Sequence, residues 1–126
     1  VEVIAHETSS TQAVETALDA ARAWEKTPVT VKDTPGFIVN RVARGYYLEA
    51  LRLVGEGVAG VEQIDSLMRD GGGFRMGPFE LMDLVGLDVN HAVSTSVWQQ
   101  MDRHPRFTPH DIQRDLSQAR NNSRRR

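Results

Sequence analysis

Two acid–base side chains lie close together at the start of the chain. Glu2 and His6 are four residues apart in the apolar run "VEVIAH", and a β-strand through this run would place them on one face. A carboxylate beside an imidazole is a general acid–base pair, because the carboxylate orients the ring and stabilises its charged form. The competing interpretation, which we favour, is that His6 faces solvent where the strand ends.

Asn40 is the third candidate, in the segment "VKDTPGFIVNR" (31–41). An amide is a poor residue for a helix interior, yet Asn40 lies in the second turn of a helical pattern that begins directly after Gly36. Pro35 presets the start of that helix, and Gly36 allows another surface to approach closely. The residues alone leave open why an amide stands at this point.

Two other patterns do not predict sites. "GEGVAG" (55–60) spells the dinucleotide motif G-x-G-x-x-G, but it follows an amphipathic helix and not a strand, so we interpret it as a helix–helix loop. The remaining histidines lack the close helical pairing of a metal site, and the chain has no cysteine. They are His91, His104 and His110. The sequence predicts no metal site and no cofactor-binding residue.

Composition narrows the class of protein. The chain has 126 residues, with 40% hydrophobic and 25% charged residues, which is typical of a globular chain. A net charge of −2 does not favour nucleic-acid binding. No apolar run approaches the roughly 20 residues of a membrane span, and no signal peptide opens the chain. We therefore expect a cytoplasmic protein without nucleic-acid or membrane partners.

Residues 1–32 predict strand, helix and strand. The helix covers "SSTQAVETALDAARAWEKT", with Ser9 and Gln12 at capping-box spacing, and "PVTV" forms the second strand. A lone βαβ unit cannot cover both faces of its sheet. We therefore expect this sheet to have lost its beginning and the chain to be a fragment.

Residues 33–126 predict helices only. The first has a 3–4 spaced apolar stripe, formed by Val39, Val42, Ala43, Tyr46, Tyr47, Ala50, Leu51 and Val54. Others cover "VEQIDSLMRD", "FELMDLV" after Pro78, Asp88 to Met101, and a last segment from Thr108 that holds Ile112 and Leu116. The segment around Phe74 is either a tight interhelical connection or a cleft wall. In the former case Phe79, Leu81, Met82 and Leu84 pack in the core.

"VKDTPGFIVNRV" followed by "GGGFRMGPFELMDLVGLD" resembles the C-terminal part of the 3-hydroxyacyl-CoA dehydrogenase family, in particular its bacterial 3-hydroxybutyryl-CoA and phenylacetate-pathway members. The resemblance implies a mainly α fold. Residues 1–32 would be the remnant of an NAD-binding Rossmann-type domain, and residues 33–126 an all-helical domain that lines the acyl-CoA cleft and forms a homodimer. NAD would be bound by the missing N-terminal domain.

The resemblance also implies roles for two residues. In the family a His acts as general base on the substrate 3-hydroxyl while hydride leaves C3 for the nicotinamide. The Glu that orients this His corresponds to Glu2, and the Asn of the "PGFIVNR" motif, which contacts the substrate, corresponds to Asn40. The base itself and the glycine-rich NAD loop would precede Val1. The ending "LSQARNNSRRR" departs from the family's usual "GRKTGxGFY"-like segment.

Two hypotheses follow. The chain is the C-terminal portion of an NAD-dependent 3-hydroxyacyl-CoA dehydrogenase, inactive when isolated, or it is a non-catalytic helical module for dimerisation or acyl binding. Glu2 distinguishes them, because a helical module has no use for half of an acid–base pair. We favour the dehydrogenase.

Overall fold

The computed structural model describes residues 1–115, and the chain divides into two compact units. The first covers Val1–Arg41 and the second begins at Val42. A domain boundary between residues 32 and 33 stays a prediction. Each unit is described by itself below.

The first unit is a small parallel βαβ structure. Strand β1 covers Glu2–Ala5, helix α1 covers Thr11–Ala23, and strand β2 covers Val29–Lys32. The strands pair in parallel with Glu2 opposite Val29. Val3 and Ala21 are its buried apolar residues. The predicted strand–helix–strand order is confirmed.

The cap of α1 differs from the sequence prediction by one residue. The side chain of Ser10, not Ser9, accepts the N–H of Ala13 at 3.1 Å, and Thr11 begins the helix. The Ser9 hydroxyl instead accepts the N–H of His6 at 3.1 Å, in the turn that leaves β1. Either of the two adjacent serines could cap the helix, but the Ser9 hydroxyl is engaged in the turn, so Ser10 is the cap.

The second unit is helical. Helix α2 begins in the first unit and covers Val39–Gly55, followed by α3 (Val61–Asp70), α4 (Pro78–Val85), α5 (Leu87–Gln100) and a 3-10 helix (Pro105–Phe107). A further helical segment begins at Asp111 and continues to the last described residue. The predicted position of Leu116 lies outside the described residues. The mainly α fold with a short parallel sheet at its beginning is confirmed.

The core of the second unit is centred on one face of α2. Tyr47, Leu48 and Leu51 are buried there against Met82 of α4. Val42 is 73% exposed and Val39 is 64% exposed, so only part of the apolar stripe is buried. The buried face instead follows the i, i+3, i+4, i+7 spacing from position 44 to position 51, which turns Val42 to the opposite side.

The segment after α3 is partly as predicted. Met82 is buried and Phe79 and Leu81 pack against the core, whereas Leu84 is 71% exposed at the end of α4. Leu84 was therefore wrongly placed in the core. Within residues 1–115, no helix has both the length and the apolar character needed to cross a membrane.

Candidate functional site

Glu2 lies at the first turn of α2. Its half-buried side chain leaves β1, and Oε1 accepts the backbone N–H of Ile38 at 3.0 Å and that of Val39 at 2.8 Å. These N–H groups belong to a helix start, where donors have no intrahelical acceptor. A carboxylate at this end also interacts favourably with the helix dipole. Glu2 therefore ties the first strand to the beginning of the helix that carries Asn40.

The turn that precedes α2 has an unusual backbone. Gly36 and Phe37 both have positive φ angles, 72° and 48°. Glycine adopts this conformation readily, whereas a bulky residue such as Phe37 pays about 1–3 kcal/mol for it. The N–H of Phe37 donates to the Thr34 carbonyl at 3.0 Å, and that of Arg41 donates to the Gly36 carbonyl at 3.1 Å. The motif "TPGF" thus forms a defined turn into α2.

Asn40 is the second residue of α2 and its side chain is exposed. It follows directly after Val39, whose N–H is held by Glu2. The structure therefore brings the two residues singled out from the sequence to the same end of one helix. A side-chain amide does not titrate, so at this position it can both donate a hydrogen bond to a polar ligand and accept one from it.

His6 does not pair with Glu2 in the described structure. Strand β1 ends at Ala5, and His6 is exposed, as we expected. Its Nδ1 accepts the N–H of Thr8 at 3.2 Å and lies 3.0 Å from the Thr8 hydroxyl. The alternation of a strand would have kept both side chains on one face, but the strand is too short to include position 6.

A polar depression lies where β1 and β2 end. It has a volume of about 430 Å³ and is lined by Ala5, His6, Glu7, Lys32, Asp33 and Thr34. The carboxyl ends of parallel strands are the usual ligand edge of an α/β sheet. Its charged side chains are of both signs, so it does not select an anion or a cation by charge.

The motif "GEGVAG" connects two helices. Helix α2 ends at Gly55 and α3 begins at Val61, with a positive φ of 69° at Gly57. A dinucleotide loop needs a strand before it, so that the following helix meets the pyrophosphate. The interpretation of this motif as a helix–helix loop is confirmed. Among residues 1–115 there is also no group of three or more His, Asp or Glu side chains that could hold a metal ion.

The glycine-rich segment between α3 and α4 is held by carboxylates. Asp65, which is buried, accepts the N–H of Phe79 at 2.9 Å and that of Glu80 at 3.1 Å. Glu80 in turn accepts the N–H of Gly77 at 2.9 Å and pairs with Arg69. The Gly77 N–H, and after it the Arg69 contact, lower the pKa of Glu80 below its ordinary value. These contacts fix the first turn of α4.

Tyr46 holds the same segment from α2. Its hydroxyl donates to the Met76 carbonyl at 2.8 Å, and its ring stacks on Phe74 with centroids 4.8 Å apart. Burial, more than the nearby carboxylates of Asp65 and Glu80, raises the pKa of Tyr46. The interhelical connection is therefore tight, as one of the two sequence-based interpretations expected.

A narrow apolar groove lies beside Tyr46. It has a volume of about 200 Å³, between α2, α3 and the start of α4. It is lined by Gly45, Tyr46, Glu49, Ala50, Leu53, Ile64, Met68 and Pro78.

A buried polar cluster around Arg44 was not predicted from the sequence. Arg44 is 3% exposed, and it donates to the Ser94 hydroxyl at 2.7 Å and to the Asn90 carbonyl at 3.1 Å. Its guanidinium also lies 5.0 Å from the centre of the Tyr47 ring, and Gln113 donates to the Asn90 side chain. Burial lowers the pKa of Arg44. The spacing of Arg44 with Tyr47, Leu48 and Leu51 was the available signal.

Comparison with known proteins agrees with these motifs. The family model described as 3-hydroxyacyl-CoA dehydrogenase, C-terminal domain, matches residues 36–126. The chain is 48% identical over 116 residues to the 3-hydroxyadipyl-CoA dehydrogenase of Escherichia coli (strain K12), which covers 92% of this chain and 24% of that protein. It is 47% identical over 102 residues to the mitochondrial hydroxyacyl-coenzyme A dehydrogenase of Homo sapiens, covering 81% of this chain and 32% of that protein.

A solved structure has the same fold. The crystal structure of 3-hydroxybutyryl-CoA dehydrogenase from Escherichia coli K12 superposes with a TM-score of 0.87 at 48% identity. The match covers 92% of this chain and 25% of that one. The chain thus spans between about a quarter and a third of the length of these relatives.

Proposed function

Because this chain belongs to the 3-hydroxyacyl-CoA dehydrogenase C-terminal domain family, we propose that it is the C-terminal part of an NAD-dependent enzyme that oxidises 3-hydroxyacyl-CoA to 3-oxoacyl-CoA. The substrate class is that of its relatives, which points to fatty-acid or aromatic-acid catabolism. Residues 1–32 would complete the NAD-binding domain, and the helices would line the acyl-CoA cleft. A cytoplasmic location stays a prediction.

The observation that carries this proposal is the position of Glu2. The Glu2 carboxylate is held at the first turn of α2 by the N–H groups of Ile38 and Val39, and the exposed amide of Asn40 follows directly. This arrangement supports a site in which both side chains contact one ligand. A purely helical dimerisation or acyl-binding module would not need a strand to deliver a carboxylate to this point.

Glu2 and Asn40 have distinct roles in the proposed reaction. Both observed contacts of Glu2 use Oε1. The Oε2 atom accepts the N–H of the imidazole that removes the 3-hydroxyl proton, which fixes the tautomer and stabilises the imidazolium. That imidazole comes from outside these 126 residues. Asn40 donates from Nδ2 to an oxygen of the substrate and so orients it.

The described residues do not fit a dinucleotide site. Their glycine motif at 55–60 lies between two helices, and β1 and β2 are joined by a helix without a glycine-rich loop. Oxidation of an alcohol requires a hydride acceptor, and in this proposal NAD is bound by another part of the enzyme.

The second part of the proposal is a homodimer formed by the helical unit. Leu67 on α3 is 69% exposed, and Val58 and Val61 are 64% and 43% exposed. Exposed apolar side chains are the material of interaction surfaces, and two-fold dimers are the commonest soluble oligomers. Sedimentation equilibrium should give a dimer mass, and Leu67→Asp should shift it toward monomer. A clean monomer at high micromolar concentration would contradict this part.

The enzymatic proposal is tested with a hybrid enzyme. In it, this chain replaces the matching 116-residue segment of the Escherichia coli 3-hydroxyadipyl-CoA dehydrogenase. We expect NADH formation with 3-hydroxyadipyl-CoA or 3-hydroxybutyryl-CoA, and none from the isolated 126-residue chain. A hybrid that is folded and binds NAD but oxidises neither substrate would contradict the proposal. Activity of the isolated chain would contradict it as well.

A further inference from the structure

Two apolar side chains at the end of the turn into α2 are largely exposed. The side chains of Ile38 and Val39 are 46% and 64% exposed. The two preceding residues, Gly36 and Phe37, have the left-handed backbone conformation, which is unfavourable for Phe37. A turn of this kind persists only where surrounding contacts impose it.

Glu2 contacts this turn from another element of the fold. It reaches Ile38 and Val39 from β1, 36 and 37 positions earlier in the chain, and satisfies two donors with one oxygen. A charge-assisted hydrogen bond to a backbone N–H is stronger than one between neutral groups. The carboxylate thus sets where α2 begins and how its first turn is oriented.

We propose that Glu2 is a positioning residue for Asn40, in addition to its role toward the imidazole. Through Oε1 it holds the amides directly before Asn40, and through Oε2 it orients the base. One carboxylate then positions both the imidazole that removes the proton and the amide that orients the substrate. This inference rests on the proposed function.

A substitution at Val39 separates the two roles, because it leaves Glu2 unchanged. Val39→Pro removes the N–H that Glu2 accepts at 2.8 Å, and proline is tolerated at the first position of a helix. Val39→Ala is the matched control, since it removes the same exposed side chain but keeps the N–H.

In the hybrid enzyme, we expect Val39→Pro to raise KM for the acyl-CoA by roughly 3- to 10-fold relative to Val39→Ala, with kcat within about twofold. A merely structural defect would instead lower the amount of active enzyme and thus the apparent kcat. An active hybrid in which the two variants have the same KM overturns the inference and leaves the proposed function intact. An inactive parent hybrid counts against the proposed function.

A second measurement applies if Val39→Pro does not fold. In the 126-residue chain, Glu2→Ala should accelerate hydrogen exchange at the Ile38 and Val39 amides and shift the side-chain amide resonance of Asn40. Glu15→Ala, on the exposed surface of α1, is the control and should change neither. Unchanged exchange and an unchanged Asn40 resonance in Glu2→Ala overturn the inference without reference to activity.

Discussion

The Asp65 carboxylate of α3 accepts the N–H of Phe79 in the first turn of α4 at 2.9 Å, and its other oxygen accepts the next N–H at 3.1 Å. The side chain is buried, so the free donors of α4 are satisfied by this residue and not by water. Asp65 therefore accepts backbone N–H groups at the start of α4, as Glu2 does at the start of α2.

Asp65→Asn should lower the free energy of unfolding by about 2 kcal/mol, because one of the two N–H groups then faces an amide NH2 in place of a charged acceptor. Urea denaturation of the 126-residue chain measures the change. Asp83→Asn is the matched control, since Asp83 is exposed on α4 and should change stability by less than about 0.5 kcal/mol. Equal effects in the two variants would mean that Asp65 does not hold α4.

Gly77→Ala and Gly45→Ala should have opposite effects on stability. A Cβ at Gly77 would overlap the Asp65 side chain, whereas a Cβ at Gly45 meets nothing within 4 Å. We expect Gly77→Ala to destabilise by about 1–3 kcal/mol through overpacking. Gly45→Ala should stabilise by about 0.5–1 kcal/mol, because alanine is the better residue in the middle of a helix. Thermal unfolding of both variants checks the pair, and a neutral Gly77→Ala would contradict the packing around Asp65.

Glu80 should make stability depend on pH in the acid range. The N–H of Gly77 and the Arg69 contact lower its pKa in the folded chain below the ordinary value of 4.5. The stabilisation is therefore present above pH 4.5 and is lost as the pH falls through the lowered pKa. Thermal unfolding of wild type and Glu80→Gln should differ most near pH 7 and converge as the pH falls below about 4. A difference that is constant with pH would contradict this.

Arg44→Met should be strongly destabilising. The substitution keeps an apolar stem in the core but removes the charged donor to the Asn90 carbonyl and the Ser94 hydroxyl, which costs about 2–4 kcal/mol. The Ser94 hydroxyl then keeps its bonds to the Asn90 carbonyl and to Gln113. Arg22→Met, in an exposed ion pair with Asp19, should cost less than about 1 kcal/mol. Denaturant midpoints of the two variants give the comparison. Similar values would show that the polar cluster is not a stabilising feature.

The parts of the fold that depend on nearby residues could be predicted from the sequence. Helix α3 covers the predicted segment Val61–Asp70, because its apolar spacing and the glycines after it are local signals. The segment 55–60 was correctly predicted to be a loop between two helices, because the apolar spacing before it is that of a helix and not of a strand. The family motifs identified Glu2 and Asn40, and the structure brings both to the start of α2.

The parts that depend on distant contacts could not be predicted. No local pattern links Glu2 to the amides of Ile38 and Val39, because that contact requires β1 and β2 to pair in their observed register. The helical spacing of Arg44 with Tyr47, Leu48 and Leu51 was a local signal for its burial, but the acceptors that satisfy it could not be predicted, since they lie on α5.

The most direct test of the central claim is kcat of the hybrid enzyme with Glu2→Gln. Glutamine keeps an oxygen that can accept the amides of Ile38 and Val39, but it removes the charge that orients and stabilises the imidazole. We predict that kcat falls by about 10²–10⁴-fold, while the fold is kept and Glu15→Gln has no effect. An unchanged kcat in Glu2→Gln would contradict the account, because the carboxylate would then have no part in the reaction.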